Sequence, residues 1–144
     1  MIADVISRLE AQIAELNGRV EGAFEFGELV RTGQMPNSGV AAHVLPLGLQ
    51  PRAADSAAGA YTQEFDESIG VILTRRNASR DAERILGNLR DFVMRIVRAI
   101  AGWVPSGASG VFRFLRAGLV SSTKGTFVYQ IDFSIADQLR ILDD

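Results

Sequence analysis

The chain contains no cysteine, which excludes disulfide scaffolds, thiol nucleophiles and cysteine-ligated metals together. It has one histidine, His43, so a multi-histidine metal site is excluded as well. Lys124 is the only lysine among fifteen basic residues, and the net charge of −2 provides no bulk attraction to nucleic acid. Long apolar runs are missing too. The most apolar stretch, Phe92 to Val104, contains Arg95 and Arg98 and is too short to span a bilayer. Asp4, Arg8, Glu10 and Glu15 interrupt residues 1–16, which therefore lack a signal-peptide apolar core. The expectation is a soluble protein made inside the cell, with no membrane partner. What is present is ordinary for a globular protein: 144 residues, 47% hydrophobic and 22% charged. That length suits a single domain over residues 1–144 with one core.

Periodicity divides the chain into elements. Ile2, Val5, Ile6, Leu9, Ile13 and Leu16 fall within an arc of roughly 100° at helical spacing, and Asn17-Gly18 stops that helix. Residues 19–39 read as a short strand over Val20–Phe24, then turns at Gly27, Gly33, Pro36 and Gly39. Val40–Leu47 reads as a strand, with Pro46 marking its end or an edge. Gln50–Ala60 is small, polar and aperiodic, so a mobile loop is expected over about residues 48–60. Tyr61–Arg75 alternates as a strand, with Phe65, Ile69, Val71 and Leu73 on one parity. Residues 80–101 form the clearest helix, with Ser79 as its expected N-cap and Gly102 and Pro105 closing it. Val111–Val120 and Thr126–Ala136 read as a hairpin around Ser121–Gly125, followed by a short tail that is acidic at its tip. The fold class expected is α+β: a single antiparallel or mixed sheet with two main amphipathic helices on one face.

Catalytic machinery is not apparent. There is no G-x-S-x-G elbow, no P-loop and no G-x-G-x-x-G. His43 lies in an apolar strand with nothing marking a partner base, and reads as a packed or surface histidine. Glu64, Asp66 and Ser68 share a strand face, but a hydrolytic pair or hard-cation site there would need partners that the sequence does not indicate. No cofactor or metal is expected, and no enzymatic activity. Trp103 reads as a plug at the edge of the core. More informative are seven arginines between positions 75 and 98, against three acids. Arg80, Arg84, Arg95 and Arg98 gather on the polar side of the long helix near Asp91, which could pair with Arg95 four residues on. Arginine suits protein interfaces and fork-like binding of carboxylates. With the acidic strand residues Glu64 and Asp66, and with Arg52 and Lys124, these arginines are the candidate subunit or partner interface.

The ordered features resemble a known family. They are the opening MIADVISRLEAQI, the strand-like GRVEGAF, Met35-Pro36, VAAHVLPLG, the small-residue stretch and the strand beginning near Gln63. A helix ending in Ile100-Ala101-Gly102-Trp103-Val104-Pro105 and the closing FVYQIDFSI complete the set. Nearly the whole chain is similar to the tail terminator proteins of long-tailed bacteriophages and phage-like particles. The resemblance implies a structural virion protein that assembles, in the host cytoplasm, as a homo-oligomer, a hexameric ring. Such a ring caps the head-proximal end of the tail tube, ends tube polymerisation and joins the tail to head-completion proteins. It implies a tail tube protein below, a head-completion or connector protein above, and DNA passing through the lumen without specific recognition. The alternative is another tail or neck component, a tube subunit or a head-tail connector adaptor.

Overall fold

The computed structural model describes residues 1–33, 39–57, 60–76, 82–123 and 125–142, with the backbone alone for 55–57, 82–87, 123 and 142. Helix α1 (Ile2–Gln12) ends where Ile13 turns extended (φ −126°, ψ 106°), and a 3-10 turn (Ala14–Leu16) follows. The apolar stripe continues through this break, because Val5, Leu9, Ile13 and Leu16 are all buried. Gly18 then reverses the chain at φ 72°, a region costly for residues with a Cβ.

Strand β1 is only Val20–Glu21. Helix α2 (Ala23–Thr32) follows, where the sequence predicted turns. Its ends are chemically specified. The Glu25 carboxylate accepts a hydrogen bond from the Gly22 N–H (3.2 Å), and Gly33 closes the helix in the left-handed conformation. It carries no buried residue, which is why helical periodicity did not reveal it.

Strands β2 (Val40–Ala57), β3 (Ala60–Arg76), β4 (Phe112–Thr123) and β5 (Thr126–Leu142) complete a mixed five-stranded sheet in the order β1-β2-β3-β5-β4. Only the β1–β2 pair is parallel. Residues 50–57, expected as loop, are strand: β2 stays in register with β3 as far as the Ala57–Ala60 pair. Irregularities between Pro46 and Gly48, and between Pro51 and Ala54, occur where proline removes a ladder donor. The predicted tail after Ala136 is likewise strand, pairing with β3 up to Ala60–Leu142.

Helix α3 (Ala82–Ile100) packs with α1 on one sheet face. One cluster joins Val5, Leu9 and Leu16 to Leu89, Val93, Ile96 and Ile100, and to Ala42, Val44, Ile69, Val71, Leu73, Ile131 and Phe133. Helix α2 lies on the other face. Its Phe26 ring sits 5.4 Å from His43, whose side chain points opposite to those of Ala42 and Val44. The fold is thus α+β with one sheet and two main helices, α1 and α3, on one face, as expected; α2 is a third helix on the other side. The predicted N-cap Ser79 lies outside the described residues.

Gly102 (φ 79°) ends α3 and donates to the Phe112 carbonyl, while Phe112 N–H donates to Trp103. Trp103 stacks on Phe112 at 6.0 Å with the Arg8 guanidinium 5.2 Å above it, packing against the edge of the core.

Candidate assembly surfaces

Register separates the sheet into two chemically different faces beyond the helices. On the face away from α1 and α3, Asp66 receives two hydrogen bonds from Arg52 (2.9 and 2.6 Å), with Arg113 3.5 Å away. Glu64 lies 3.7 Å from the same Arg52. The hydrogen bonds from Arg52 hold the Asp66 carboxyl below the usual carboxylate range. Nearby, Arg116 (2.8 Å) and Gln130 (2.9 Å) donate to the buried Asp132 carboxylate. Three candidates from the sequence, Arg52, Glu64 and Asp66, are therefore brought together. The carboxylates on this strand serve arginine rather than standing as a free pair.

The helix arginines separate. Arg95 does not pair with Asp91. It bridges to Glu15 through both terminal guanidinium nitrogens and draws the Glu15 carboxyl below its ordinary range. This contact ties α3 to the turn after α1, two elements far apart in the sequence, so spacing along one helix could not reveal it. Arg98 is exposed. Arg80, the side chain of Arg84, and Lys124 lie outside the described residues.

Beside the Glu15–Arg95 bridge is a cleft of about 610 Å³ that sequence reasoning missed. Arg19, Arg75 and Arg76 line it together with Ala14, Val40 and Phe92. The double arginine at the end of β3 was the available signal. Its meaning depends on Arg19 arriving from the start of β1.

His43 is buried at 2% exposure, 3.7 Å from Glu21, and its Nδ1 has no hydrogen-bond partner among the described residues. Burial pushes its pKa down, opposed by Glu21 and Glu25. The folded protein therefore holds His43 neutral while the unfolded chain takes up the proton first as pH falls. Stability should decline as pH drops below about 6.5 and return above it. Melting temperatures measured between about pH 7.5 and pH 5.5 check this. His43→Asn should flatten the slope, and a wild-type profile already flat in that window would contradict it.

Both sheet edges expose strand. β1 covers β2 only at Ala42 and His43, and β4 forms the opposite edge. Phe114, Leu115, Leu119 and Val120 on β4 are each at least 44% exposed. Exposed apolar edges of this length are normally covered in an assembly.

A family model of the phage tail terminator protein matches residues 2–143. The chain belongs to the phage tail terminator family. Family membership makes it a structural component of a phage tail. Among solved structures, a chain from the virion of a native gene transfer agent particle superposes with a TM-score of 0.58 at 18% identity, covering 96% of this chain and 95% of its own. That likeness shows a shared fold. A second solved chain aligns over 95% of this chain and 92% of its own at 16% identity, with a TM-score of 0.38. No curated protein matches. Among the described residues, no helix of this family member is long and apolar enough to cross a membrane.

Proposed function

We propose that the chain forms a ring, six copies by resemblance, which caps the head-proximal end of a tail tube and ends its polymerisation. The observation that carries this reading, beside family membership, is the sheet's pair of open and non-equivalent edges. A closed ring of identical subunits needs two different complementary surfaces on each copy, and edges formed by β2 and β4 are of that kind. Strand addition between copies would satisfy their free backbone groups and cover Phe114, Leu119 and Val120. The arginine and carboxylate surfaces, including Arg52, Glu64, Asp66, Arg95 and Arg98, then serve as contacts to neighbouring copies, to a tube protein below and to a head-completion protein above. Arg80, Arg84 and Lys124 join them as candidates by charge. DNA would pass through the lumen without base-specific contact, and assembly would take place in the host cytoplasm before the tail joins the head.

Stoichiometry and position test this. Imaging purified particles with the chain labelled should show a single ring at the upper end of the tail. Labels along the whole tube would make it a tube subunit, and labels retained on tail-less heads would make it a connector adaptor.

A further inference from the structure

Over residues 48–57 of β2, 60–68 of β3 and 135–142 of β5, the sheet continues as an arm that the helices do not cover, three-stranded past the Phe112–Ile135 pair. Register sets which side chains share its underside, the continuation of the core face. They include Leu49, Phe65, Leu139 and Ile141, with Leu49, Leu139 and Ile141 exposed at 64%, 43% and 54%. Among the described residues, the charged side chains that register places with them are two carboxylates, Glu67 and Asp137. Arg52, Arg113 and Arg140 belong to the other face.

The cleft at the opposite end of β3 has the complementary character. Ala14, Val40 and Phe92 provide apolar wall, and Arg19, Arg75 and Arg76 form no ion pair within 4 Å among the described residues. Its one lining acid, Glu15, is engaged by Arg95. Arm and cleft cannot meet within one molecule. The positions of Glu67 and Asp137 along β3 lie about 25–35 Å from Arg75 on a continuous strand, several screening lengths away.

We propose that the arm's underside in one copy seats in the arginine cleft of a second copy, with Glu67 and Asp137 bound by Arg19, Arg75 and Arg76. This rests on the ring reading and names a further contact between its subunits, in addition to the paired edges. The pairing joins two different surfaces, arm to cleft, so its head-to-tail repetition builds a closed ring or an open chain. Arginine favours the contact because its planar fork binds carboxylate at two points while the cleft's apolar wall takes the leucines. A tube or head protein offering an acidic segment to the cleft is the competing occupant.

Charge reversal tests it. Arg75→Glu with Arg76→Glu should weaken self-association roughly tenfold or more, as should Glu67→Arg with Asp137→Arg. Native mass spectrometry at high protein concentration and ring counts on purified tails are the readouts. All four substitutions in one chain should restore assembly, because both surfaces then change sign together. Melting curves establish that each variant is folded. The proposal is overturned if the cleft variant assembles like the wild type, if the folded four-substitution chain does not assemble, or if the wild type stays monomeric both alone and beside tails. If the four-substitution chain self-associates but cannot join tails, the cleft binds a partner's acidic segment in addition to the arm. A single upper ring on tails carrying the cleft variant would remove this contact and leave the ring reading intact. Many stacked wild-type rings would remove the ring reading and leave the contact.

Discussion

Ile96→Asp should abolish the cooperative unfolding transition. Ile96 has no exposed surface and lies where α3 meets the sheet, in the cluster that joins Val93 and Ile100 to the strands. Losing its apolar burial costs roughly 1.5–3 kcal/mol. The new carboxylate has no cation within that cluster, so it is either buried charged or forced to protonate, adding several kcal/mol more. A protein of this size is stable by about 5–15 kcal/mol, and a single substitution of this kind consumes most of that margin. Circular dichroism during heating is the measurement. Arg98→Glu, two residues away on the exposed side, should change stability by no more than about 0.5 kcal/mol and serves as the control. A sharp transition retained by Ile96→Asp would mean that α3 is not seated as described.

Phe133→Ala should keep the fold but lower the melting temperature by about 10–20 °C. Phe133 is fully buried on β5, opposite Ile69 of β3 and Phe114 of β4, whose ring is 6.1 Å away in an edge-on arrangement. Truncating a buried phenylalanine costs about 3–5 kcal/mol, through lost transfer energy and the cavity left behind. At this chain length each kcal/mol corresponds to several degrees. Ile135→Val, two residues along the same face, should cost only about 0.5–1.5 kcal/mol. Equal losses from the two would indicate that the site collapses around the missing ring.

Both predictions depend on positions legible in the sequence. The helix read over residues 80–101 buries Leu89, Phe92, Val93, Ile96 and Ile100, and the strand read over Thr126–Ala136 buries Phe127, Ile131, Phe133 and Ile135. These signals were readable because each element buries one face and exposes the other, so packing writes a period into the residues. Where burial is absent, the period is absent too. Residues 50–57 form strand held by backbone pairing with neither face packed against helices, so their side chains carry no alternation, and in 137–142 it is confined to the few residues Gln138–Ile141. Helix α2 escaped for the same reason. Only its end signals, Glu25 reaching back to Gly22 and the left-handed Gly33, were available to mark it.

The candidate surfaces divide along the same line. Arg52, Glu64 and Asp66 were found as charged residues, but their mutual pairing depends on β2 extending past its prolines. Arg95 was found, and its partner was misassigned to Asp91, because Glu15 approaches only through the packing of α1 against α3. Of the arginine cleft only the Arg75-Arg76 pair was visible, since Arg19 joins it from more than fifty positions away. The reactive poverty of the chain, its α+β class, its core faces and its family resemblance were all legible along the sequence. These follow from composition, from short-range periodicity and from ordered local signatures. The length of the arm, the side on which α2 lies and the charges that meet emerge only in three dimensions. Those depend on backbone pairing and on contacts between distant segments, which leave no period along the chain.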